Sequence, residues 1–129
     1  METGKAAKAL AALGHEGRLA AFRLILEAGS TGLPAGEVAR RTGSLQNTSS
    51  SNLNVLASAG LIASRRDGRS IIYSVSYACF GELLEYLIQD FCGKQPDLFA
   101  PFFENLLEAC RAGGPGAEHE VNTNGEASP

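Results

Sequence analysis

A mainly α-helical chain carrying one β-hairpin is what the 129 residues predict. Three observations carry that reading. Apolar positions recur at three- and four-residue spacing over most of the chain, two β-prone runs meet at Asp67 and Gly68, and the last stretch has almost nothing to bury.

Taken in order, residues 5–13 are rich in Ala, the best helix former, and close at Gly14, which predicts a short first helix. A second helix starts near Glu16, with Leu19, Phe22 and Leu26 as its apolar stripe and Arg18, Arg23 and Glu27 off it, until Gly29-Ser30-Thr31-Gly32 ends it. Pro34 suits the first turn of a third helix over Ala35–Thr42, with Glu37 near its N-terminus and Gly43 as the stop. Residues 46–60 follow as a fourth helix, crowded with Gln, Asn, Thr and Ser at its start and apolar at Leu53 and Leu56. Then the period changes. Residues 61–66 and 69–75 are β-prone and flank Asp67-Gly68, a strong hairpin signal, with Arg65, Arg66 and Arg69 around the tip. A long helix over 77–92 places Phe80, Leu84, Leu87 and Phe91 on one stripe, widened by Leu83 and Ile88; residues 97–110 make a C-terminal helix with Leu98, Phe102, Leu106 and Leu107.

Composition bounds the rest. At 44% hydrophobic and 19% charged, with three Cys and no Trp, the chain is of an ordinary soluble globular class, and collagen-like, disulfide-stapled and wholly disordered classes are excluded. One domain over residues 1–111 and a disordered tail over 112–129 are expected. Apolar stretches are broken by Arg18, Arg23, Glu82 and Glu85, and the N-terminus has no signal-peptide core, so a cytoplasmic protein without membrane contact is expected. An enzyme is not: there is no Ser/His/Asp set, no Gly-rich phosphate loop and no paired carboxylates.

The net charge of -3 hides a division. Residues 1–75 carry nine Lys and Arg against five acids, a net +4, while residues 76–129 carry two against nine, a net −7. A basic segment in an acidic protein is the footprint of one face meeting a polyanion.

Two helices joined by a short turn containing Gly, followed by a basic hairpin, compose a winged helix-turn-helix. Its fourth helix supplies Gln46, Asn47, Thr48, Ser49, Ser50, Asn52 and Asn54, side chains able to pair with base edges and phosphates in a major groove. Arg65, Arg66 and Arg69 on the wing neutralise phosphates or enter a flanking minor groove. Double-stranded operator DNA is thus the expected partner. A winged helix used as a protein-interaction module, binding an acidic partner, is the alternative of a different class. The apolar width of residues 77–92 exceeds what one small monomer covers, which points to a homodimer with two reading heads.

Residues 9–22, 36–39, 50–62 and 65–73, and above all Ser50, Leu53, Leu56, Ala59, Gly60 and Leu61 leading into the Arg66-Asp67-Gly68-Arg69 hairpin and Tyr73, resemble the ArsR/SmtB family of small dimeric winged-helix repressors. Asn52 stands where that family usually has His. The resemblance spans about residues 6–92 and implies a homodimeric repressor that binds a pseudo-palindromic operator near its own promoter and is released by an inducer.

No cofactor is required for DNA binding, and the inducer is open on the sequence. Family zinc sites use His and carboxylates on the helix after the wing, which here has no His; His15 reads as a helix-start residue that packs or caps, and His119 falls in the tail. The third-helix cysteines of some arsenic-responsive relatives are replaced by residues 33–37, Leu-Pro-Ala-Gly-Glu. Residues 90–99 align with the arsenic-binding motif of another branch, with Phe91 and Phe99 where two sulfurs would stand and Cys92 alone retained. Within one helix Cys79 and Cys92 are thirteen positions apart, about 20 Å at 1.5 Å per residue, beyond any shared ligand. If two such helices pair antiparallel about Glu85, Cys79 of one chain comes level with Cys92 of the other. Two thiols suit a methylated trivalent arsenical or a redox or persulfide switch, and Cys110 as a third would suit As(III) itself. Buried packing thiols are the competing reading for all three cysteines.

Overall fold

A computed structural model of the chain describes residues 1–94 and 96–113, with the side chains of 90–96 outside the description. Its elements run α1 (Thr3–Leu13), α2 (Glu16–Glu27), a 3-10 turn at Gly29–Thr31, β1 (Leu33–Pro34), α3 (Ala35–Thr42), α4 (Gln46–Ser58), β2 (Ile62–Asp67), β3 (Ser70–Val75), α5 (Tyr77–Lys94) and α6 (Pro96–Arg111). Mainly helical with a small antiparallel sheet, this is the winged helix-turn-helix arrangement. The chain forms two compact units, Met1–Tyr86 and Leu87–Pro129. The expected tail lies, from residue 114 on, outside the described residues. Among the described residues no helix is long and apolar enough to cross a membrane.

In the first unit the core gathers Phe22, Ile25, Val38, Leu53, Leu56, Leu61 and Leu83, with Phe22 meeting Phe80 edge to face at 5.1 Å between ring centroids. Small side chains let α1 approach closely: Ala6, Ala9 and Ala12 are buried where it packs on α2 and α4. The stripe expected for α2 is displaced. Ala21, Phe22 and Ile25 face inward and Leu19 is 44% exposed. Apolar residues nearly encircle this helix, so spacing alone does not choose the face; packing of its neighbours does.

Caps explain the boundaries. Gly43, at φ 68°, donates to Arg40 O, and Ser44 donates to Ala39 O, closing α3 with a left-handed residue and two bonds to its last carbonyls. Gly60 at φ 84° ends α4 in the same way, with Leu61 N–H reaching Leu56 O at 3.1 Å. Ser76 Oγ accepts from Cys79 N at 3.3 Å and starts α5.

The sheet has order β1-β3-β2. β2 and β3 pair over all six residues, from Ile62 opposite Val75 to Asp67 opposite Ser70, so the two-residue loop is Gly68 and Arg69, one position later than the sequence suggests. Gly68, at φ 64°, takes the first loop position that demands a positive φ. β1 was not expected: Pro34 belongs to it, pairing with Ile72, and then caps α3 rather than opening it.

Candidate nucleic-acid interface

The turn of residues 43–45 sets α4 against α3, and the start of α4 is left open. Leu45 precedes the helix with no side-chain cap and is 74% exposed, so most of the first-turn amides have no acceptor among the described residues. Asn47 Oδ1 accepts from Thr48 N at 3.0 Å. Free N–H groups at a helix N-terminus attract phosphate oxygens and carry the positive end of the helix dipole.

Around that end Gln46, Asn47, Thr48 and Ser50 are exposed, as is Asn54 one turn further on. Ser49 and Asn52 are not. They are 4% and 8% exposed and turn toward the core side with Leu53 and Leu56, which takes them out of the surface that the sequence assigns to DNA. The reason is periodicity: positions 49, 52, 53 and 56 form the inward face of a 3.6-residue helix, whatever their polarity. Asn52 lies against the start of α2, where a Cβ on Gly17 would come within 3.2 Å of both its Nδ2 and His15 Cε1. His15 is the N-cap of α2, its Nδ1 accepting from Arg18 N at 3.2 Å, as its place in the sequence suggests.

On the wing, Arg65, Arg66 and Arg69 are all exposed, but they differ in use. Alternation along β2 puts Arg65 and Arg66 on opposite faces. Arg65 Nη2 donates to Thr31 O at 2.9 Å and fastens the hairpin to the turn before β1. Among the described residues, Arg66 and Arg69 have no ion pair or side-chain hydrogen bond within the protein. Their charge is free for a polyanion.

Two further arginines, not singled out from sequence, stand at the end of α3. Arg40 grips the Glu37 carboxylate through both Nε, at 3.1 Å from Oε1, and Nη2, while Arg41 Nε reaches Oε2 at 2.8 Å. The hydrogen bonds from Arg40 and then Arg41 hold the Glu37 carboxyl down at about 2, against an ordinary 4.5. Their signal in the sequence is the acid followed by bases at i+3 and i+4. The cluster is net positive and stands on the first helix of the helix-turn-helix, the element that in such motifs crosses the DNA backbone.

Cys79 is a core residue, its Sγ 3.9 Å from Ala59 O, while Cys110 is exposed on α6. The Cys92 side chain lies outside the described residues, as does His119. Among the described residues no three His, Cys, Asp or Glu side chains are placed to hold a metal ion.

No protein-family model matches the chain. Among curated proteins it is 34% identical over 88 residues to the HTH-type transcriptional regulator YgaV of Escherichia coli strain K12, a match covering 68% of this chain and 87% of that one. Among solved structures, the transcriptional repressor BigR from Xylella fastidiosa aligns with a TM-score of 0.50 and 30% identity over 67% of this chain and 85% of BigR. The homodimeric winged helix-turn-helix DNA-binding domain of Mb0332 from Mycobacterium bovis, described as a possible ArsR-family transcriptional regulator, aligns with a TM-score of 0.56 over 71% of this chain and 83% of that domain. At 22% identity that last likeness is one of fold.

Proposed function

Because the chain belongs to the ArsR family of winged helix-turn-helix transcriptional regulators, we propose that it works as a homodimeric repressor that holds operator DNA until an inducer releases it. The observation that carries this reading is the uncapped, polar start of α4 together with a wing whose Arg66 and Arg69 have no ion pair among the described residues. Gln46, Asn47, Thr48, Ser50 and Asn54 read base edges or hold phosphates, and the wing arginines neutralise the flanking backbone. That repression is the outcome is supported by the likeness to BigR.

A second copy accounts for the apolar surface that the chain leaves open. On α5, Cys79 and Leu83 turn to the core while Leu84 stays 47% exposed, and Tyr77 on the same helix is 52% exposed. Apolar faces of this kind mark interaction surfaces, and a two-fold pair places two α4 helices about one DNA turn apart. Mobility shifts on the DNA upstream of its own gene, with random DNA as competitor and across a salt series, test the reading. Specific binding that weakens steeply with salt is expected; equal binding to random DNA overturns it.

For the inducer we propose a thiol-reactive species, a trivalent arsenical or a sulfane-sulfur donor, acting through Cys92 and Cys110 and through Cys79 only if its core contacts open. Repeating the mobility shift with arsenite, a methylated trivalent arsenical, zinc and a sulfane-sulfur donor separates the classes. A Cys92→Ser protein is expected to lose release by the thiol-reactive compounds; undiminished release by all of them rejects the thiol model.

A further inference from the structure

Between α1, the start of α2 and the flank of α4 lies a crevice of about 380 Å³. That volume falls within the range of small-molecule sites, about 300–1,000 Å³. Its walls are mixed. Ala12 and Val55 give it apolar surface, while Ser51, Asn54 and Ser58 contribute hydroxyl and amide groups from successive turns of α4. Two cations complete it, Lys8 from α1 and Arg18 from α2, and no carboxylate among the described residues lines it.

Neither cation is neutralised among the described residues. Lys8 has no ion pair there, and Arg18 spends its bonds on backbone, Nε to Ala12 O at 2.6 Å and Nη2 to Ala11 O at 3.3 Å. Those two bonds satisfy the last carbonyls of α1 and fix the guanidinium at the rim, with the rest of its five N–H donors unspent. A fixed guanidinium and an exposed ammonium over an apolar wall, with no counter-charge among the described residues, suit one class of guest, a small organic anion with a compact apolar body.

We propose that this crevice binds a small organic carboxylate, and that its occupation weakens DNA binding. The second half rests on the DNA-binding reading above. Asn54 belongs both to the crevice wall and to the exposed face of α4 assigned to DNA, so a guest that engages Asn54 and Ser51 withdraws them from the groove.

The test is an amide NMR titration of the full-length protein without DNA, using benzoate and hexanoate as probes and benzamide and hexanamide as their neutral counterparts. Saturable shifts at Ala11, Val55 and Ala59 are expected with the carboxylates, with the amides weaker by about tenfold. Lys8→Glu, an exposed position, is expected to weaken carboxylate binding similarly, and Ser58→Leu to abolish it by filling the space while both cations remain. No saturable shift with either carboxylate, amides that bind as well, or full binding by Lys8→Glu overturns the site. Operator mobility shifts at saturating benzoate then read the coupling: weaker DNA binding supports it, and unchanged DNA binding overturns that half. A protein that binds benzoate but no operator in the absence of probe overturns the repressor reading and leaves the site standing.

Discussion

Gly32 occupies a point where any side chain collides. At φ 77° a Cβ there would stand 2.5 Å from Tyr73 O and 2.9 Å from Ile72 Cγ2, because β1 is pressed onto β3 just after this residue. Gly32→Ala is expected to cost about 3 kcal/mol, from left-handed strain and the displaced strand together, read from urea unfolding. Glu37 gives a pH signature at the same scale. Its carboxyl falls from 4.5 to about 2 on folding, so the stability it contributes is complete above pH 4.5 and is lost as pH drops toward 2. Glu37→Gln is expected to lower the urea midpoint at neutral pH and to flatten its decline between those limits. Parallel decline in the two proteins contradicts the clamp.

On the proposed reading, the side chains of α4 choose sequence and the arginines of the wing only hold DNA. Asn47→Ala or Ser50→Ala is expected to reduce the preference for operator over random DNA by about 1–3 kcal/mol where a base contact is lost. Arg66→Ala and Arg69→Ala are expected to weaken binding to every duplex alike and to lower the salt slope by about 1 each, in mobility shifts over a salt series. Most elements were legible because their signals are local: Gly43 stops α3 where a left-handed residue is needed, and Gly68 marks the hairpin within one position. What the sequence hid is relational. Ser49 and Asn52 have the right chemistry for a groove, yet their position on the α4 cylinder turns them inward, and only the packing of α2 and α3 on α4 reveals which face is which. β1 is two residues long and includes Pro34, so no period announces it; it exists because β3 offers a free edge.

At the level of the whole molecule, the half-exposed Leu84 on α5 makes a dimer testable without touching the reading head. Leu84→Glu is expected to leave the fold intact, since the side chain is already 47% exposed, and to shift sedimentation from dimer to monomer with loss of operator affinity. An unchanged dimer moves the interface elsewhere. The bond from Arg65 to Thr31 also restricts how proteins built on this plan can differ. Strand side chains alternate, so one residue added to each arm of the hairpin below Arg65 would swing it to the far face and break the tether. Two residues per arm would restore its face but carry it about 7 Å along the strand at roughly 3.4 Å per residue, away from Thr31, so the wing can lengthen only on the tip side of the tether. The stretch between the tether and the base of the hairpin is thus fixed in length, and variation is confined to the tip.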